Sequence, residues 1–363
     1  MEKISTKKPA RTVGLDIAKR VFQVHGIDDT GAVVAQKRLS RSELLFWFSQ
    51  QKSCLVGIEA CATSVYWARK IGKLGHEVKL IPPTYVKPYV RRQKNDKVDA
   101  AAICEAVSRP SMRFVATKSL EQQEVQVLHR TRELLIGQRT QTINALRCHL
   151  AEFGVIFPQG DSGVTQAIAL LQSGTDQEVP AFAQRALLSL VGQLEHLKQE
   201  IASLDKQMMT WHRQNADSQR LAAIPGIGVV TATAMIAAIG DGKQFKSGRE
   251  FAAWLGLVPK QNSSGGKERL GRISKKGNVY IRTLLVSGAT GLLRGNYRNK
   301  AAGGVWYAEL LKRKSPRVAT VAMANKMARV AWALLTKGEA YRPTIIPVND
   351  DTAMSSEATK TAA

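Results

Sequence analysis

Thr12-Val13-Gly14-Leu15-Asp16-Ile17-Ala18-Lys19-Arg20-Val21-Phe22-Gln23-Val24-His25-Gly26-Ile27 contains two β-rich runs, Thr12–Ile17 and Val21–Ile27, joined by a short polar turn. A third run at 32–39 follows the turn material Asp28-Asp29-Thr30-Gly31, and connections this short predict an antiparallel meander. Ser40 and Glu43 then fit a capping box that opens a helix through Trp47. An apolar strand at 54–59 ends on Glu59, a helix at 63–74 stops at Gly75, and a strand at 78–81 is broken by Pro82-Pro83. Short helices begin at Thr84 and at Asp96. The order βββαβαβα is that of an α/β domain of the RNase H type, a mixed sheet covered by helices, over residues 11–115.

Four acids fall on this frame. Asp16 lies in Val13-Gly14-Leu15-Asp16-Ile17-Ala18-Lys19, Glu59 in Val56-Gly57-Ile58-Glu59-Ala60, and Asp96 and Asp99 in Lys94-Asn95-Asp96-Lys97-Val98-Asp99-Ala100. The first two end apolar strands, and the last two share one helix face at i, i+3. Acids at such density repel one another unless a cation sits among them. Four carboxylates suit two hard divalent ions, Mg²⁺ or Mn²⁺, roughly 4 Å apart, which neutralise a scissile phosphate and activate its attacker. Each acid also has a structural alternative: Asp16 as a turn residue, Asp96 as an N-cap, Asp99 as a first-turn acid favoured by the helix dipole. Glu59 has less of one, because burial after Leu55-Val56-Gly57-Ile58 without a partner is costly.

The charge balance points to the same substrate. Of 363 residues, 53 are Lys or Arg and 29 Asp or Glu, a net charge of +24. A surplus of that size favours a polyanion, since every phosphate neutralised releases condensed counterions. Hydrophobic residues make up 44 % of the chain and charged residues 23 %, ordinary for a globular protein with two or three domains. Cys54, Cys61, Cys104 and Cys148 form no C-x-x-C pair and read as free thiols in a reducing cytoplasm. The six histidines show no zinc spacing. No run approaches ~18 apolar residues, and the N-terminus has no apolar signal core, so neither a membrane span nor a secretory leader is expected.

The middle, 116–215, reads as helical, with a Gly-, Pro-, Ser- and Gln-rich connector at 154–180 between two long helices. The first covers 120–153. In the second, Leu187, Leu190, Leu194, Leu197, Ile201, Leu204 and Met208 step by alternating threes and fours, a coiled-coil seam. It pairs either with the first long helix of its own chain or with another subunit. Residues 216–343 form a third, mainly helical unit. It opens on Ile224-Pro225-Gly226-Ile227-Gly228, the turn of a helix-hairpin-helix, whose free N–H groups and following helix N-terminus suit phosphate oxygens. A plain helix connector has the same composition. Residues 260–318 hold fourteen Lys or Arg against Glu268 and Glu309, half the net charge of the chain. A last helix at 319–335 has a small-residue face, and the Ser/Thr/Ala-rich tail at 344–363 reads as disordered.

Within the basic stretch, Leu257-Val258-Pro259-Lys260-Gln261-Asn262-Ser263-Ser264-Gly265-Gly266-Lys267-Glu268-Arg269 sets a serine beside two glycines and among cations, which suits a nucleophile. A flexible phosphate-binding loop would look the same. Together with the acid segments and Pro225-Gly226-Ile227-Gly228, this ordered set resembles the DEDD insertion-sequence transposases, relatives of the Piv/MooV DNA invertases, from about residue 12 to 340.

The resemblance implies a RuvC-like N-terminal domain, a coiled-coil middle and a C-terminal transposase domain. It implies that Asp16, Glu59, Asp96 and Asp99 bind Mg²⁺ and that Ser264, at the family's Ser-Gly position, attacks DNA to form a phosphoserine link. Ser263 stands immediately before it, and spacing from Pro259 favours Ser264. It further implies that the metal site and the serine of one centre come from different protomers, and that a structured bridge RNA pairs with donor and target DNA. Lys267, Arg269, Arg272, Lys275 and Lys276 are expected to position phosphates, in a homodimer or homotetramer acting at the bacterial nucleoid. The rival readings are a RuvC-type junction resolvase in which water attacks, and a non-catalytic nucleic-acid-binding regulator.

Overall fold

The computed structural model describes residues 8–90, 96–174, 178–294, 306 and 309–342. The expected disordered tail at 344–363 and parts of the basic stretch lie outside the described residues. The chain divides into two compact units, Met1–Ser119 and Leu120–Ala363.

In the first unit, β1 (Thr12–Ile17), β2 (Val21–Ile27), β3 (Val33–Ser40), β4 (Leu55–Glu59) and β5 (Glu77–Ile81) form one sheet in the order β3-β2-β1-β4-β5. β1, β2 and β3 are the expected antiparallel meander, while β4 runs parallel to β1 and β5 parallel to β4. The helices are α1 (Glu43–Ser49), α2 (Ser64–Gly72), the single turn α3 (Pro83–Val86) and α4 (Asp96–Val107). Strand alternation splits the burial between two faces. Val13, Leu15, Val56 and Ile58 point to one side and pack with Leu44 and Phe48 of α1 and Trp67 and Ile71 of α2. Each such fully buried side chain contributes about 2 kcal/mol relative to exposure.

The opposite face is made of glycines where α4 crosses. A Cβ on Gly14 would stand 2.0 Å from Ala100 O, and one on Gly57 2.8 Å from Val107 Cβ. The helix therefore lies on bare backbone. The capping box at α1 is only half formed. Glu43 accepts from the Ser40 N–H at 2.7 Å, but the Ser40 hydroxyl donates to Glu43 instead of accepting from the helix, which starts at Glu43.

In the second unit, α5 (Leu120–Ala151) and α7 (Ala181–Gln214) form a long antiparallel hairpin. Trp211 Nε1 donates to Glu121, Arg132 pairs with Asp205, and Leu146 and Leu150 cluster with Leu187 and Val191. The connector carries α6 (Asp161–Ser173), whose Ala167 and Leu171 close the end of that cluster. Leu187, Val191, Leu194, Leu197, Ile201 and Met208 are buried along α7. Within the chain, α5 is the partner of α7.

The rest of the unit, α8 (Ala216–Ala222), α9 (Val229–Ile239), α10 (Gly248–Trp254), the hairpin β6 (Pro259–Gln261) and β7 (Leu270–Ile273), α11 (Val279–Arg294) and α12 (Pro316–Lys337), surrounds a second core. Gln122 and Gln126 of α5 donate to Ile236 O and Ala237 O, supplying partners to the last carbonyls of α9. Among the described residues, no helix is long and apolar enough to cross a membrane.

Candidate functional site

Three of the four acids are brought to one end of the sheet by strand parity and helix direction. Asp16 is two residues beyond Gly14 and Glu59 two beyond Gly57, so both project on the α4 face. The β1–β4 register pairs Gly14 with Gly57 and Leu15 with Ile58; one step further sets Asp16 beside Glu59, about 4.8 Å between strands. Ala100 lies over Gly14, and the Cys104 thiol reaches back to Thr12 O at 3.6 Å. Hence α4 runs antiparallel to β1, and its first turn, with Asp99, overhangs the end that carries Asp16. Asp16, Glu59 and Asp99 are all half-buried.

The donor chemistry fits a hard divalent cation, which takes carboxylate oxygens. Burial pushes the Cys104 thiol up to about 11, so it stays protonated beneath Gly14 and is no competing ligand. The side chain of Asp96 lies outside the described residues; its backbone opens α4. Among the described residues, no three His, Cys, Asp or Glu side chains form a group able to hold a metal ion.

The serine segment is the tip of the β6–β7 hairpin. Gly265 and Gly266 take φ of +56° and +75°, and the Lys267 N–H donates to Ser264 O at 3.1 Å. Two successive positive φ values with that bond make a two-residue turn of type I′, which glycine allows without strain. The ladder continues through Asn262 N–H to Arg269 O at 2.9 Å. Here the two serines part: Ser263 Oγ accepts from the Arg269 N–H at 3.2 Å, whereas Ser264 Oγ has no hydrogen-bond partner among the described residues. Ser264, Lys267, Arg269, Arg272, Lys275 and Lys276 are exposed.

The base of the hairpin is held to the end of α10. Ser274 N–H donates to Val258 O and Lys275 N–H to Gly256 O. Buried Arg282 donates to Leu255 O at 2.8 Å and Lys276 O at 3.1 Å. Sequence reading had no role for Arg282; a cation inside the apolar run of α11 was the available signal, because it requires buried acceptors.

The Pro225-Gly226-Ile227-Gly228 turn joins α8 to α9 as expected. Much of it faces inward. Ile227 is buried, the Gly226 carbonyl packs on Gly288 of α11, and the Gly226 Cα faces Leu292 and Met327. Gly228, the N-cap of α9, is the exposed member.

The "Transposase IS116/IS110/IS902 family" matches residues 218–302, and a second family described as "Transposase", of the DEDD type, matches residues 13–155. The first lies within Leu120–Ala363 and includes the β6–β7 hairpin, and the second spans the acid-bearing unit and continues through α5. A "Probable family 20 transposase" of Pseudomonas aeruginosa is 47 % identical over 91 % of this chain and 98 % of its own. The "Transposase for insertion sequence element IS1111A" of Coxiella burnetii is 40 % identical over 92 % of each chain. A "Pilin gene-inverting protein" of Moraxella bovis is 22 % identical over 91 % of this chain and 97 % of its own. With identity sustained across both units, the chain belongs to the IS110/IS116/IS902 family of insertion-sequence transposases, enzymes that cut and join DNA.

Proposed function

We propose that this transposase exchanges DNA strands through a serine-linked intermediate at a divalent-metal centre, on an N-terminal domain of RNase H/RuvC type. Asp16, Glu59, Asp96 and Asp99 would hold Mg²⁺ or Mn²⁺, and the observation that carries this is the glycine-lined face that brings β1, β4 and the first turn of α4 together. Bound there, the ions would neutralise the scissile phosphate. The Ser264 Oγ attacks phosphorus and loses its proton, an Oγ–P bond forms, and the P–O bond to the departing strand breaks. The released oxygen takes up a proton. A hydroxyl from the exchanged strand reverses the step and frees the serine.

Three features support Ser264 over Ser263: its free hydroxyl, its place at the hairpin tip and the cations around it. Lys267, Arg269, Arg272, Lys275 and Lys276 would hold phosphates, with Gly228 and the start of α9 as a further backbone contact. We extend the reading to a structured guide RNA paired with donor and target DNA, and to a dimer or tetramer, since two duplexes require several centres.

The test mixes the protein, RNA transcribed from the flanking non-coding DNA, labelled donor and target DNA, and Mg²⁺, followed by a denaturing gel. A protein-linked DNA band is expected from wild type and Ser263→Ala and none from Ser264→Ala or Asp16→Ala. Free nicked DNA without adduct, insensitive to Ser264→Ala, would overturn the serine step in favour of RuvC-type hydrolysis.

A further inference from the structure

A concave groove of about 1650 Å³ lies in the second unit between the N-terminus of α10, the base of the β6–β7 hairpin and one face of α12. Its cations are Arg249, Arg272, Lys275, Arg317, Lys326 and Arg329, and among the described residues no acid lines it. Leu257, Val318, Val321 and Val330 line it as well, together with the Trp306 ring and Trp332, whose Nε1 already donates to Gly242 O. Val318 is 52 % exposed. Lys326 Nζ stands 4.6 Å above the Trp306 ring. Close packing of Gly248 on the Arg329 backbone, 3.2 Å from a Cβ position to Cα, closes one wall.

These features select the occupant. A cationic rim without acids calls for a polyanion. A duplex offers phosphate, sugar and the edges of its bases in the grooves but keeps the base faces stacked inside, which would satisfy the cations and leave the Trp306 ring without a base to stack on. An unpaired strand satisfies both, with its backbone on the cations and its bases against apolar and aromatic surface. We propose that this groove binds a single-stranded nucleic-acid segment, one of its bases resting on Trp306 and its phosphates on Arg249, Arg317, Lys326 and Arg329. The inference rests on the reading of the chain as a nucleic-acid recombinase and adds which surface takes the unpaired strand. The groove includes Pro259 and Ile273, and Ser264 is five residues along the hairpin from Pro259, about 17 Å at strand rise.

The experiment is fluorescence anisotropy on the full chain with a labelled oligodeoxythymidine of about twelve nucleotides, alongside a blunt duplex of equal length. Trp306→Ala is expected to weaken oligodeoxythymidine binding about tenfold and leave the duplex unchanged, and Trp306→Phe to restore most of the loss. Lys326→Ala with Arg329→Ala should lower the single-strand salt slope by about 1.4, the share of two phosphate contacts. Equal loss on strand and duplex would make the groove a plain backbone site and overturn the proposal. So would wild-type binding by all three variants when their thermal unfolding is unchanged. Absence of the covalent adduct from wild type, with groove variants still impaired on oligodeoxythymidine, would instead sink the recombinase mechanism and leave the groove standing.

Discussion

Gly14 shows how one missing methyl group organises the candidate site. With Ala100 O only 2.0 Å from where its Cβ would be, Gly14→Ala forces α4 off the sheet. The expected cost is about 3 kcal/mol, at the upper end for overpacking, because the obstacle is backbone and cannot rotate away. The same displacement carries Asp99 away from Asp16. Adduct yield should therefore fall well below the folded fraction measured by circular dichroism. Full activity in a folded Gly14→Ala protein would refute the placement of α4. Gly14 and Gly57 stand two residues before Asp16 and Glu59, but in the sequence alone they carried no assigned role. Their reason, helix approach on a shared register, required the pairing of β1 with β4.

Among elements, the long α5–α7 hairpin is pinned to the C-terminal core by a buried polar cluster. His129 of α5 contacts Tyr280 Oη of α11 through Nδ1 and Thr233 Oγ1 of α9 through Nε2, both at 3.0 Å. Burial, reinforced by the nearby Arg132 cation, holds the imidazole down to about 4, opposed by Asp205. The unfolded chain takes up this proton near 6.5, so between pH 6.5 and 4 the unfolded state binds more protons than the folded one. Stability is thus complete above pH 6.5 and declines as pH falls, by about 3 kcal/mol at pH 4 from this residue. Denaturant unfolding of wild type and His129→Gln across that window should show the extra slope in wild type alone. Parallel curves would mean that the imidazole is already hydrated. The heptad pattern on α7 predicted the seam, but Val191 is buried where Leu190 was expected, and Leu190 is half-buried. A straight helix drifts about 20° per heptad from a strict 3.5-residue repeat, enough to bring in the adjacent position.

For the whole molecule, the division into two compact units predicts that the chemistry is divisible. The acids belong to Met1–Ser119, and the serine hairpin and groove to Leu120–Ala363. Residues 120–363 expressed alone should unfold cooperatively and bind oligodeoxythymidine within about threefold of the full chain, since every groove residue is present. They should yield no adduct even with Mg²⁺. A non-cooperative melt, or a tenfold loss of affinity, would show that the first unit completes the second.

Local pattern carried much of this chain. Period-two alternation, glycines, prolines and short turns told the order of strands and helices in the first unit, because each rests on neighbours within a few residues. The acids were visible for the same reason, being tied to strand ends and a helix start. The groove was not, because Arg249, Trp306 and Arg329 are separated by up to eighty residues and become neighbours only when α10 packs on α12. Spacing from Pro259 favoured Ser264, but the difference in hydrogen bonding between Ser263 and Ser264 was not legible in two adjacent hydroxyls. It arises from a cross-strand bond to Arg269, and thus from hairpin register. Which helix α7 would choose was equally open, since an apolar seam is indifferent to whose chain covers it. In the fold α5 covers that seam, with Trp211 bonded to Glu121 and Arg132 to Asp205.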